Sequence, residues 1–132
     1  MFFDGASKGN PGKAGCGALI NENSHTSQNK TIWKGNKYLG NTTNNVAEYN
    51  GLILGLEQAS KLGIKELIIK GDSKLVIEQM KGNYKVNAPH LIPLYKRAKE
   101  LEPASVTYEY IPRKQNGEAD QLANDAIYIM QF

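Results

Sequence analysis

One cysteine, two histidines and one tryptophan are all that this 132-residue sequence holds of those residue types. A lone Cys16 excludes an intramolecular disulfide and any cysteine-rich zinc site, and the isolated His25 and His90 make no histidine cluster for a metal. No stretch approaches the roughly 20 apolar residues that a membrane span needs. The first residues show no basic region followed by an apolar run, so no secretory leader is expected. These absences predict an intracellular, cytoplasmic protein. They also predict one domain over residues 1–132, long enough to bury a core without metal or disulfide. A strong charge imbalance is lacking too: 16 basic against 13 acidic side chains give +3. Such a mild excess is ordinarily a solvated surface. If several acids are gathered into one cation site, however, the remaining surface is basic enough to suit a polyanion.

What the sequence does have begins at its start. Met1-Phe2-Phe3 reads as an apolar strand, and Asp4 directly behind it is costly to bury unless something neutralises it. A small-residue loop follows, closed by the turn Gly9-Asn10-Pro11-Gly12, where Pro fixes φ and Gly tolerates positive φ. Two readings stand at this point: a metal-bearing carboxylate with room for a bulky ligand, or a partly exposed Asp beside an ordinary hairpin turn. Gly15–Asn21 reads as a second strand, with Cys16, Ala18 and Ile20 on one face and Gly15, Gly17 and Leu19 on the other. The glycine pair implies either close approach by another backbone or ligand, or a bulge. Glu22–Thr26 is expected to be a polar loop. Ser27–Lys34, with only Ile32 and Trp33 as large apolar residues, is expected to be a polar strand near an edge, completing an antiparallel meander.

The longest helix is predicted from Thr42-Thr43-Asn44-Asn45 to about Leu62, stopped by Gly63. Glu48 falls on the side of Gly51, Leu52, Gly55 and Ala59, facing the sheet from the first turn. The bland account of Glu48 is attraction to the helix N-terminus. Glu66–Lys70 carries a continuous apolar run that predicts a strand covered on both faces. Asp72 then sits at the carboxyl end of a parallel strand, where open α/β sheets collect ligands; alternatively it caps the short helix Lys74–Lys81, a task open to Ser73. A helix over Leu91–Leu101, a strand over Val106–Ile111 and a last helix capped by Asn116 complete the chain. Asp120 lies one turn into that helix and has a plain alternative as a first-turn acid.

The order βββαβααβα, with Asp4-Gly5-Ala6-Ser7, Gly9-Asn10-Pro11-Gly12, Thr42-Thr43-Asn44-Asn45-Val46-Ala47-Glu48, Gly71-Asp72-Ser73 and Asn116-Gly117-Glu118-Ala119-Asp120, resembles ribonuclease H of type 1 across essentially the whole chain. The resemblance implies an α/β fold with a five-stranded mixed sheet, an antiparallel meander then parallel strands, flanked by helices. It implies a monomeric endonuclease that cleaves the RNA strand of RNA–DNA hybrids with Mg²⁺ or Mn²⁺, leaving 5′-phosphate and 3′-hydroxyl ends. It gives Asp4, Glu48, Asp72 and Asp120 as catalytic residues and metal ligands, with Asp4 bridging two ions. Four carboxylates from separate elements need cations to offset their repulsion, and all-oxygen ligands suit hard ions. Two such ions about 4 Å apart can activate a water and stabilise the leaving oxygen. By the same resemblance Glu48 contacts a ribose 2′-hydroxyl, Asn10, Asn44 and Asn45 contact the minor groove, and Thr43 and Ser73 bind a DNA-strand phosphate.

The sequence departs from the better-known bacterial pattern in three ways. The loop Pro112-Arg113-Lys114-Gln115-Asn116 has no histidine. Only Lys81, Tyr84 and Lys85 stand where a Trp-rich basic protrusion would be, as in the compact archaeal and plant-like branch. Just three residues precede Asp4, which predicts a short central strand. The rival readings are a non-cleaving module of the same fold that binds hybrids or double-stranded RNA, and a DNA-directed nuclease of the wider superfamily. Thr43-Asn44-Asn45 and the Asn10 turn favour the ribonuclease.

Overall fold

The computed structural model describes residues 1–22 and 30–129. Within them the elements run β1 (Phe2–Gly9), β2 (Gly12–Glu22), β3 (Lys30–Thr42), α1 (Asn44–Lys61), β4 (Glu66–Gly71), α2 (Lys74–Met80), α3 (Ile92–Leu101), β5 (Ser105–Tyr110), a 3₁₀ turn (Arg113–Gln115) and α4 (Gly117–Ile129). They form one five-stranded sheet in the order β3-β2-β1-β4-β5, with β1–β2 and β2–β3 antiparallel and β1–β4 and β4–β5 parallel. This is the mixed sheet expected.

Several bounds differ from expectation. β1 continues through the segment read as a small-residue loop, pairing with β2 residue for residue up to Gly9↔Gly12. Gly5, Ala6 and Ser7 have weak strand preference, so it is the ladder to β2 that keeps them extended. The central strand is therefore not short, although it pairs with β4 only at Phe2↔Lys70. β3 runs on past Lys34 to Thr42 for the same reason, its Gly35, Asn36 and Gly40 held by pairing with Ala18, Gly17 and Ala14. Glu22 ends β2 rather than opening a loop; positions 23–29 of the expected loop and strand lie outside the described residues.

Alternation along β2 divides the two layers. Ala18 and Ile20 join Phe3, Tyr49, Leu52, Leu56, Ile69, Val76, Ile77, Met80 and Tyr108 in a core under α1, α2 and α3. Burying each large apolar side chain here contributes about 1.5–3 kcal/mol. On the other face α4 lies against β1, β2 and β3. It comes so close that a Cβ on Gly17 would meet Leu122 Cβ at 2.6 Å, and one on Gly15 the Ala123 carbonyl oxygen at 2.5 Å. Close backbone approach, rather than a ligand, accounts for that glycine pair. Because α4 covers β1–β3, β4 is covered on one face only: Leu67 and Ile69 are buried, while Ile68 is 44% exposed. That corrects the expectation of a strand buried on both faces.

The helix starts follow local chemistry. Thr43 Oγ accepts from the Val46 N–H and Ser73 Oγ from the Val76 N–H, both at 3.3 Å, capping α1 and α2. Gly63, at φ 70°, follows the α1 C-cap Leu62. α3 carries Pro93 in its first turn. At α4 the expected side-chain cap is not made: the Asn116 side chain turns inward to donate to the Phe3 carbonyl, leaving its main-chain carbonyl to accept the first helical bond from Asp120 N–H at 3.0 Å.

Candidate metal centre and active site

The site grows from β1 outward. Asp4, 3% exposed, stands opposite Gly17 of β2. α1 crosses β1 with almost no gap, since a Cβ on Gly5 would lie 2.3 Å from the Glu48 backbone nitrogen and one on Gly51 2.4 Å from the Asp4 carbonyl oxygen. Those two glycines fix the helix against the strand and aim Glu48, 9% exposed, at Asp4. Glu48 lies just beyond the first turn of α1, which holds no acid, so the helix N-terminus does less for it than its expected first-turn position implied. Asp72 follows β4 at its carboxyl end and is half-buried. Carboxylate oxygens of Asp4, Glu48 and Asp72 all lie within 4.8 Å of one another.

Asp120, in the first turn of α4, lies outside that tight group but lines the same pocket, whose volume is about 380 Å³. It is held from two sides. Asn124 Nδ2 donates to the Asp120 carbonyl oxygen at 2.9 Å and to its Oδ1 at 3.2 Å, and Arg113 Nη2 sits 3.9 Å from Oδ1 in an exposed ion pair.

Electrostatically the cluster is unbalanced. Burial, with the Asp72 and Asp120 charges adding to it, pushes the Asp4 carboxyl up to about 7, although a hydrogen bond with Glu48 and the Gly5 N–H at 2.9 Å oppose the rise. Glu48 is driven well above the usual carboxylate range by burial and then by Asp4. Without a cation the pair therefore retains a proton near neutral pH. Glu48 Oε2 is buried with no hydrogen-bond partner among the described residues, a cost that native interiors rarely carry without a use. An orphaned carboxylate oxygen, two further carboxylates within reach and, among the described residues, no nitrogen or sulfur ligand in the group fit a hard divalent cation.

Of the other candidates, Asn44 lines the pocket. Asn10 Oδ1 accepts from the Asn44 N–H at 3.1 Å, tying the β1–β2 turn to the start of α1, and Asn10, Asn44 and Asn45 are exposed. Thr43 and Ser73 use their hydroxyl oxygens as helix caps, which leaves each O–H free to donate. Sequence reasoning missed Lys8, Tyr110 and Asn124, all of which line the pocket. Asn124 was discoverable, being four residues after Asp120 on one helix face. Lys8 and Tyr110 gave no such signal.

The strand order, the helix placement and this acid cluster define the ribonuclease H class of fold. The chain belongs to the family described as reverse transcriptase-like, which matches residues 2–126. A Mycobacterium tuberculosis protein named as bifunctional is 48% identical over 127 residues, covering 94% of this chain and 34% of that protein. The solved N-terminal RNase H domain of that protein superposes with a TM-score of 0.88 at 46% identity, covering 95% of both chains. Ribonuclease HI of Halobacterium salinarum is 38% identical over 130 residues, covering 96% of this chain and 62% of that protein. LC11 ribonuclease H1, solved in complex with an RNA/DNA hybrid, gives a TM-score of 0.89 at 36% identity over 99% of this chain and 97% of its own. The chain thus spans about a third of the Mycobacterium relative's length and under two thirds of the Halobacterium one's.

Proposed function

We propose that this chain is a metal-dependent endonuclease that hydrolyses the RNA strand of RNA–DNA hybrids, leaving 5′-phosphate and 3′-hydroxyl ends. The reading treats residues 1–132 as a single catalytic domain that works as a monomer, inside the cell, where RNA is made on DNA. The observation that carries it is the cluster of buried Asp4 and Glu48 with half-buried Asp72, in which one carboxylate oxygen has no partner among the described residues. The named activity of the Halobacterium relative and the hybrid bound to LC11 ribonuclease H1 support the substrate.

Asp4, Glu48, Asp72 and Asp120 are the residues that would hold two divalent cations, Mg²⁺ or Mn²⁺. When bound, these ions supply Lewis-acid activation of water and charge stabilisation at the scissile phosphate. The chain's own residues do the rest. Asp4 and Glu48 release the proton they retain as the cluster charges. Asn10, Asn44 and Asn45 form an exposed polar edge suited to the minor groove, where base edges and the 2′-hydroxyl are accessible. Thr43 and Ser73 present hydroxyl donors to a phosphate of the DNA strand, a contact that positions without reading sequence. Lys8 and Arg113 add positive charge to the lining of the same pocket.

The test is cleavage of an end-labelled hybrid, with Mg²⁺ or Mn²⁺ and with chelator, by wild type and Asp72→Asn at fixed salt. Wild type cuts only with the cation. Asp72→Asn loses about 10²–10³-fold or more in rate while binding the hybrid undiminished, because affinity rests on phosphate contacts. Undiminished cleavage by Asp72→Asn refutes the metal-site assignment. Wild type that binds but never cuts makes the protein a hybrid-binding module.

A further inference from the structure

β1 meets its two neighbours unequally. It pairs with β2 from Phe2 to Gly9, but with β4 the register holds one pair, Phe2↔Lys70. There the Lys70 N–H donates to the Met1 carbonyl at 2.8 Å. Alternate residues of a strand point their backbone groups to the same side, so the Phe3 carbonyl also faces β4, and the next rung of a parallel ladder would bring it the Asp72 N–H. The register stops before that rung: the strands part at the level of Asp4 and Asp72. The Phe3 carbonyl is instead taken by Asn116, whose Nδ2 donates at 2.9 Å. Asn116 is 1% exposed and its Oδ1 has no partner among the described residues. Its main chain closes the turn into α4, donating to the Arg113 carbonyl at 2.9 Å and accepting the Asp120 N–H at 3.0 Å.

We propose that Asn116 is a positioning residue. Its side chain stands in for the missing β1–β4 rung, holding the strands apart where Asp4 and Asp72 face each other. It also ties the turn that carries Asp120 to the residue beside Asp4. The inference rests on the metal-site reading above and extends it to a residue that touches neither cation nor substrate. A buried asparagine that only filled space would show the opposite economy, with its amide satisfied at both ends and no bond to the site's backbone.

The experiment uses the full chain as wild type, Asn116→Ala, the volume-preserving Asn116→Leu, and Gln79→Ala as a control for losing a buried amide elsewhere. Equilibrium Mn²⁺ binding is read by electron paramagnetic resonance without substrate, and hybrid cleavage across Mg²⁺ concentrations gives kcat and KM. Both Asn116 variants weaken Mn²⁺ binding by about tenfold or more, as loss of a ligand-orienting partner does. They lower kcat similarly with hybrid KM within about twofold, while Gln79→Ala at comparable thermal stability leaves Mn²⁺ affinity unchanged. Asn116 variants that behave like Gln79→Ala overturn the inference. If neither variant folds, the wild-type NMR spectrum decides. On Mg²⁺ addition the Asn116 side-chain amide signals shift together with the Asp4 and Asp120 backbone amides, and a stationary Asn116 amide overturns the inference. Wild type that neither binds Mn²⁺ nor cuts sinks the metal-site reading itself, a different result from all of these.

Discussion

Two neighbouring residues of α1 lead to two buried polar clusters with opposite characters. Tyr49 points into the core, where its hydroxyl donates to Gln79 Oε1 at 2.6 Å and Gln79 Nε2 donates to the Lys85 carbonyl at 3.3 Å. Glu48, one residue earlier, points at Asp4 and leaves an oxygen unpartnered. The first cluster is closed on itself and ties α1 to α2 and the loop beyond it. The second is open, strained by like charge and complete only with something that is not protein. Buried polar groups that satisfy each other specify structure, and those that do not mark a place kept for a ligand.

The widest split between the clusters comes from Glu48→Gln. It removes a carboxyl whose burial disfavours its charged form, so the metal-free protein melts higher, while hybrid cleavage falls by about 10²-fold or more. Calorimetry with chelator and a cleavage assay on one preparation check both signs. A variant that melts lower and still cuts would put Glu48 with Tyr49 as a structural residue.

Next in size is a pH effect confined to the open cluster. In the folded, metal-free protein Asp4 titrates at about 7 against 3.8 when unperturbed. Between those values the unfolded chain binds fewer protons at this site than the folded one, so stability falls as pH rises from about 4 to 7. Below that window the penalty is absent, and above it the penalty is complete, on the order of a few kcal/mol. Melts in chelator therefore decline across this range, Mg²⁺ narrows the decline, and Asp4→Asn removes Asp4's share while leaving the part that the burial of Glu48 contributes.

The closed cluster responds in the reverse sense. Gln79→Ala strands the Tyr49 hydroxyl and costs about 1–3 kcal/mol, lowering the melting temperature by roughly 4–11 °C. The folded fraction keeps its rate per molecule. The smallest effect belongs to His90→Ala: His90 is exposed, and turnover stays within about twofold. A large loss there would mean that a histidine serves the reaction from outside the loop before Asp120.

Much of this was legible in the sequence because it was written in local chemistry. Asp4, Glu48 and Asp72 could be placed on one end of the sheet from an acid behind an apolar strand, a helical stripe of small residues and the carboxyl end of a parallel strand. Thr43 and Ser73 could be read as caps. What escaped was set by tertiary pairing. Gly5-Ala6-Ser7 and Gly35-Asn36 resemble loops because extended backbone there comes from β2, not from the residues themselves. Ile68 looked buried because its run is apolar, and only the placement of α4 over β1–β3 shows that face bare. Asn116 looked like a cap, since nothing local reveals a carbonyl across the fold that needs a donor.

The contact between α1 and β1 also constrains the descent of this chain. At Gly5 and Gly51 even a methyl group would collide with main chain, so the gap between Asp4 and Glu48 admits no graded adjustment by swapping one side chain for a slightly larger one. A lineage carrying this scaffold can discard its chemistry in one step by changing an acid. It cannot re-space the two acids by small steps, because every first step at those glycines breaks the joint before any new spacing is reached.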